Sequence, residues 1–306
     1  MSRHAVIDVG SNTIHLLVGE VDGGSVLPVT GEKVSARLGS GVEKTGRIQE
    51  RRLAVAADAI DLFARISTLN GVPEPVILAT SAVRDAENGP ELADQVQETT
   101  GLGMRLISGE EEALLGFRGA ISAVADGEGV NAPKLVVDLG GGSAQFIFGA
   151  AGNGPEERVS LPLGSNRTTE RFVESDPPRA EELERLREGV LRLLPRWELP
   201  AETAVVGVGG SARAILKILR ERLTVERLRE LAAEVSDRPS AVLAREHGLA
   251  PERARVLPAA ITTLAAVLEH FERPELVVAR GGLREGALLT FAEELGETGT
   301  LIGDKA

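Results

Sequence analysis

Short apolar runs separated by polar turns open the chain. Ala5-Val6-Ile7-Asp8-Val9-Gly10 is a β-branched run, Ser11 and Asn12 follow, and Ile14-His15-Leu16-Leu17-Val18 resumes the apolar pattern, which predicts a hairpin. A third strand is predicted within residues 24–38. Across residues 48–69, Leu53, Ala56, Ala57, Ile60, Phe63 and Ala64 recur at helical spacing and predict a long amphipathic helix. Residues 76–79 read as strand, 92–100 as helix, 104–107 as strand and 109–124 as helix. Strands that alternate with helices predict an α/β fold with a mixed sheet.

A second cycle starts after a Gly- and Asp-containing stretch at 126–133. There Val137-Asp138-Leu139-Gly140-Gly141 matches Ile7-Asp8-Val9-Gly10-Ser11, each a strand ending in Asp, an aliphatic residue and glycine, and then a small polar turn. Repetition at this spacing predicts two like-folded domains, assigned to 1–126 and 127–306, with no third domain expected. Further strands are predicted at 204–208 and 276–279. The charge-rich segments 179–196, 224–233 and 239–247 read as helices with solvated faces.

Composition narrows the chemistry. The 306 residues carry 34 Lys+Arg against 46 Asp+Glu, a net charge of −12, with 42% hydrophobic and only 3% aromatic residues. Such an acidic, ring-poor chain lacks the cationic footprint and stacking platforms of a nucleic-acid binder. The absence of Cys excludes thiol catalysis, Cys-ligated zinc, iron–sulfur clusters and disulfides. The start runs directly into a strand pattern with no apolar leader, and the longest apolar region, 256–268, is interrupted by Pro258, Thr262 and Thr263 and is shorter than the ~18 apolar residues of a span. A soluble, cytoplasmic protein without membrane partners is expected.

Two strand-ending turns carry the most chemistry, Asp8-Val9-Gly10-Ser11-Asn12 and Asp138-Leu139-Gly140-Gly141-Gly142-Ser143. Glycines let backbone N–H groups crowd an anion, and an Asp just before the turn suits a divalent cation on phosphate oxygens. One such loop alone reads equally as a tight hairpin; two in matching positions favour phosphate. In Ala79-Thr80-Ser81-Ala82-Val83-Arg84, Arg84 offers a planar fork for phosphate, while Thr80 and Ser81 serve equally as helix caps. Ser108 with Glu111 fits a capping box, which leaves Glu112, on a face with Gly116 and Gly119 where a ligand or water has space. Val205-Val206-Gly207-Val208-Gly209-Gly210-Ser211-Ala212 meets a weak dinucleotide pattern that lacks the acidic strand end about 20 residues on. Gly41 to Gly46 imitates a P-loop without its Lys-Ser/Thr end, and Gly281-Gly282 forms one more glycine turn after a strand.

Asp8-x-Gly-Ser-Asn, Thr80-Ser-Ala-x-Arg-Asp-Ala-x-Asn88, Ser108-Gly-x-Glu-Glu-Ala113, Asp138-x-Gly-Gly-Gly-Ser143, Gly209-Gly-Ser211 and Gly281-Gly-Leu-Arg-Glu-Gly286 together resemble the exopolyphosphatase / guanosine pentaphosphate phosphohydrolase family of the actin and sugar-kinase superfamily. The resemblance implies two ribonuclease-H-like domains with an active site in the cleft between them, and hydrolysis of a terminal phosphoanhydride. It implies phosphate contacts at Gly10, Ser11, Asn12, Ser81, Arg84, Gly140, Gly141, Gly142, Ser143, Gly209, Gly210 and Ser211. Glu112 matches the catalytic glutamate, and Asp138 with Asp8 would hold Mg²⁺, or Mn²⁺ in its place. A homodimer is also suggested. The expected substrate is inorganic polyphosphate, short chains above all, or guanosine pentaphosphate; scarce aromatics tilt the reading to polyphosphate. The family's Gly-Gly-Gly-Ser-Thr-Glu continues here as Gly140-Gly-Gly-Ser-Ala144-Gln145, a neutral residue in place of a carboxylate, so a weakly active or non-catalytic sensor of phosphate or nucleotide is the second reading and a kinase the third. The resemblance is to a short form, expected to lack the C-terminal helical domain of larger members. The net charge shifts the expectation for binding onto local groups and a divalent metal.

Overall fold

Both faces of the first sheet are covered, and this decides which residues form it. In a computed structural model that describes residues 2–22, 24–124, 132–150 and 153–298, β1 (Ser2–Val9) sends Ala5, Ile7 and Val9 into one apolar cluster and Val6 into another. Alternation across a doubly covered sheet explains the nearly unbroken apolar run. β1 pairs antiparallel with β2 (Ile14–Asp22), and β2 with β3 (Ser25–Val34). On its other side lie β4 (Val76–Ala79) and β5 (Met104–Leu106), both parallel, in the order β3-β2-β1-β4-β5.

The connections are helical. α1 (Val42–Thr45), the P-loop imitation, and α2 (Glu50–Leu69) lead from β3 to β4; α3 (Ser81–Asp85) and α4 (Gly89–Thr100) lead to β5; α5 (Gly109–Ala123) follows. Leu53, Ala56, Ile60 and Phe63 of α2 are buried in the first cluster, as their spacing predicts.

The second cycle repeats the plan. β6 (Lys134–Leu139), β7 (Ala144–Ala150) and β8 (Gly154–Leu161) form an antiparallel meander. After α6 (Ser165–Phe172) and α7 (Ala180–Leu193), β9 (Ala204–Val208) pairs parallel with β6. α8 (Gly209–Leu219), β10 (Leu223–Thr224), α9 (Val225–Ser236), α10 (Ser240–His247), α11 (Pro251–His270) and β11 (Glu275–Val278) complete a six-stranded sheet ordered β10-β11-β9-β6-β7-β8. The apolar stretch 256–268 is the buried middle of α11, and among the described residues no helix is long and apolar enough to cross a membrane.

The division of the chain corrects the expected 127–306 domain. Met1–Asp126 forms one unit together with the chain from Gly281 on, and Gly127–Arg280 forms the other. The last helix, α12 (Leu283–Thr298), returns to the first unit. Its Leu283, Ala287, Leu288 and Phe291 close over Val6, Leu17, Leu78 and Ile107, an apolar sheet face that would otherwise meet water. Residues 126–131 of the expected linker lie outside the described residues.

One buried carboxylate ties down the loop before α7. Glu182, with no exposed surface, accepts from the backbone N–H groups of Arg179 at 2.8 Å, Glu174 at 3.0 Å and Ser175 at 3.2 Å, and from the Ser175 hydroxyl. Burial pushes its pKa up, but the Ser175 hydroxyl and these N–H groups outweigh it and hold the carboxyl well below the usual range. A folded pKa below the unfolded one gives stability that is full above the unfolded value, about 4.3, and fades as pH falls beneath it. Glu182→Gln is therefore expected to lower Tm by several degrees at pH 7 and to shrink that difference at pH 3, which thermal unfolding across pH will read.

Candidate active site

The two glycine turns close in the same way. Gly10 N–H donates to Thr13 C=O at 3.2 Å, and Gly140 N–H to Ser143 C=O at 3.0 Å. Each turn is braced by the segment after the third strand of its meander. In the first, Ser11 C=O accepts from Gly39 N–H at 2.8 Å and Asn12 C=O from Arg37 N–H at 2.9 Å. In the second, Gly140 C=O accepts from Ser165 N–H and Gly141 C=O from Asn166 N–H, both at 2.9 Å. The two ends of a trans peptide point in opposite directions, so the N–H groups of Asn12 and Thr13, and those of Gly141 and Gly142, face away from the bracing segment. Successive N–H groups on one side make an anion cradle. Gly164 permits the brace in the second unit: a Cβ there would lie well inside 3.0 Å of the Gly141 and Gly142 backbone.

α3 links the first turn to a charged pair. Ser81, its first residue, meets Ser11 hydroxyl to hydroxyl at 2.9 Å, with both residues buried. Thr80 occupies the cap position without capping; its hydroxyl reaches Val9 C=O instead. Three residues after Ser81, Arg84 Nη1 donates to Ile107 C=O at 2.9 Å and lies 3.4 Å from Glu112 Oε2. Arg84 follows β4 and Glu112 follows β5, neighbouring parallel strands, so the pair sits beyond their carboxyl ends, where α/β sheets place ligands. Asn88 of the same motif is structural, since its amide clamps both backbone groups of Ile48.

Glu111 and Glu112 divide as their spacing predicts. Ser108 Oγ accepts from Glu111 N–H at 3.1 Å and Ser108 N–H donates to Glu111 Oε2 at 2.8 Å, a complete capping box. The Ser108 N–H, then Arg105, lower the Glu111 pKa. Glu112, with a 12% exposed side chain, sits one position further into the helix against Arg84. The expected free space beside it requires correction: the Gly119 end of that face is filled by the backbone of Gly282 and Gly286. Gly281 is likewise pressed against the Gly119 carbonyl and the Ala123 side chain.

In the second unit Asp138, one residue before the end of β6, lies beside the third glycine turn. Gly209, at φ +87°, starts α8, and a Cβ on it would lie 2.5 Å from Asp138 Oδ1, so the carboxylate fits only against glycine. A Cβ on Gly210 would lie 2.8 Å from the Arg253 guanidinium, and Ser211 is buried. Arg253 is a residue that sequence reasoning missed. Burial and the neighbouring Arg213 charge hold its pKa below the ordinary arginine value, with Glu252 opposing. In the sequence it stands among Glu252 and Arg255 at the polar start of α11, with nothing to single it out. Two cations beside a glycine-led helix N-terminus suit an anion.

Asp8 and Asp138 occupy equivalent places, opposite His15 and Gln145 in their hairpins. Among the described residues no group of three or more His, Cys, Asp or Glu forms a ready metal cage. One or two carboxylates suffice for Mg²⁺, which keeps several waters and shares phosphate oxygens, so a single strand-end Asp of this kind is a donor that suits that ion.

Comparison with known proteins identifies the family and the fold. The model of the Ppx/GppA phosphatase family matches residues 17–295. Exopolyphosphatase 1 of Mycobacterium tuberculosis is 30% identical over 94% of this chain and 87% of its own length. The chain belongs to the Ppx/GppA phosphatase family. The crystal structure of the Aquifex aeolicus Ppx/GppA family member superposes with a TM-score of 0.81 at 28% identity, covering 97% of this chain and 98% of that one. An exopolyphosphatase from Cytophaga hutchinsonii gives 0.85 at 26%, covering 99% and 100%. The fold is thus the two-domain, actin-like α/β fold of Ppx/GppA proteins, and the chain is a phosphoanhydride hydrolase.

Proposed function

We propose that this hydrolase is an exopolyphosphatase that releases orthophosphate from the end of short inorganic polyphosphate. The observation that carries the reading is the Arg84–Glu112 pair, a carboxylate and a guanidinium 3.4 Å apart beyond the ends of β4 and β5. Glu112 takes a proton from the attacking water as its oxygen bonds to the terminal phosphorus, and the anhydride oxygen leaves with the shortened chain. Arg84, fixed by Ile107 C=O, offsets charge on the transferred phosphoryl, the main task in this reaction class. Gly10, Ser11, Asn12 and Ser81 in one unit, and Gly140 to Ser143 with Gly209 to Ser211 in the other, hold phosphate oxygens. Asp138, with Asp8, would hold Mg²⁺, which when bound neutralises phosphate charge.

With one Trp, no Tyr and seven Phe in the sequence, few rings are available to stack on a guanine, which supports polyphosphate over guanosine pentaphosphate. The relatives named exopolyphosphatase support it too. The test is phosphate release in Mg²⁺ and in Mn²⁺ from short and long polyphosphate, guanosine pentaphosphate and ATP. Short polyphosphate is expected to give the highest kcat/KM; faster release from guanosine pentaphosphate would overturn the substrate assignment, and binding without release would favour a sensor.

Arg84→Lys is expected to lower kcat/KM roughly 10- to 100-fold, because a single ammonium cannot hold the Ile107 carbonyl and also present a planar fork. Steady-state kinetics with polyphosphate will measure it.

A further inference from the structure

Ser143 closes the second glycine turn, and Gln145 stands behind its hydroxyl. Gln145 is only 1% exposed and donates from Nε2 to Ser143 Oγ at 2.8 Å and to Ser160 Oγ at 3.0 Å. The strand register produces this contact. Gln145 on β7 is directly opposite Asp138 on β6 and Ser160 on β8, so all three side chains share one sheet face. Ser143, two residues before Gln145, continues that face.

An amide NH₂ carries two hydrogens, and here each has a hydroxyl oxygen to accept it. A hydroxyl that accepts in this way keeps its own hydrogen for another acceptor. A carboxylate in the same place reverses the pattern, because it only accepts: both serine hydroxyls would then donate to it. It would also set a second negative charge opposite Asp138, at a turn that is to receive an anion.

We propose that Gln145 is a positioning residue that anchors Ser143 Oγ from behind and commits the Ser143 O–H to a phosphate oxygen of the substrate. The neutral residue at the family's carboxylate position thereby makes this turn a stronger phosphate donor. The inference rests on the reading of residues 140–143 as a phosphate site.

The test is a double-mutant cycle in the whole chain with Ser143→Ala, Gln145→Glu and both together. KM and kcat are read with polyphosphate, and the affinity for inorganic phosphate is read by calorimetry, both at one fixed Mg²⁺ concentration. Ser143→Ala is expected to weaken phosphate binding and raise KM roughly tenfold, the size of one lost hydrogen bond to a charged group. Gln145→Glu is expected to do about the same with kcat nearly unchanged, and the double variant to be no worse than either single one. Additive losses, or tighter phosphate binding in Gln145→Glu, overturn the role of Gln145 alone. No change in Ser143→Ala overturns the phosphate reading of the turn as well. Should the buried carboxylate prevent folding, Gln145→Met, of similar volume but without a donor, decides: a raised KM at unchanged kcat supports the proposal, and an unchanged KM overturns it.

Discussion

Replacing Glu112 with Gln is expected to reduce kcat for phosphate release by about 10²- to 10⁴-fold, the range that a positioned general base supplies. The substitution keeps shape and an oxygen for the Arg84 contact at 3.4 Å, so the helix and the guanidinium stay in place. KM should move little, since the proposed mechanism gives the hold on phosphate to the turns and not to the carboxylate. The neighbouring residue provides the contrast. Glu111→Gln weakens a capping box in which Glu111 accepts from Ser108 N–H at 2.8 Å, costing about 1 kcal/mol of stability, yet should leave kcat within a factor of two or so. Steady-state kinetics and thermal unfolding of both variants separate the roles. If Glu112→Gln turns over like the parent chain, Glu112 is not the base.

Much of the local structure could be read from the sequence, because it depends on local rules. The capping box follows from the Ser108 to Glu111 spacing, and the two hairpins follow from apolar runs on either side of a small polar turn. The helix over Glu50–Leu69 follows from period alone. Features set by distant parts of the chain were not legible. β8 has exposed Glu156, Glu157 and Arg158 and reads as polar loop, because an edge strand needs only one paired side. β10 has two residues and exists only through pairing with β11. The return of α12 to the first unit depends on an apolar sheet face left open about 200 residues earlier, which no window of sequence displays. At the candidate site, the glycines of Gly209 to Ser211 were visible, while Arg253, some 40 residues on, was not. The same limit explains the misreading of Gly119: a missing side chain signals close approach of something, but whether that is a ligand or a backbone is a tertiary fact.

Gly119→Ala tests that fact directly and should be the most destabilising of the single substitutions described. A Cβ at Gly119 would lie 2.8 Å from Gly286 N and far inside 3.0 Å of Gly282 O, and on the opposing side Gly281 and Gly286 are equally pressed against Gly119 and Leu115 carbonyls. Rotamer changes cannot relieve such contacts, since the obstacles are backbone atoms of α12 and its lead-in. The two helices must separate, at a cost of about 3 kcal/mol or more, and Leu283, Ala287, Leu288 and Phe291 partly lose their seat on the sheet. A loss of that size lowers Tm by roughly 6–12 °C. Activity should fall with it, because Gly119 lies two helical turns from Glu112 on α5, and a shift of that helix moves the carboxylate away from Arg84. Gly103→Ala is the control: a Cβ there meets nothing within 4 Å, and neither Tm nor turnover should change. Calorimetric melting of the two variants beside the parent chain decides, and a Gly119→Ala chain that melts with the parent would mean that the close helix packing does not hold α12 on the first unit.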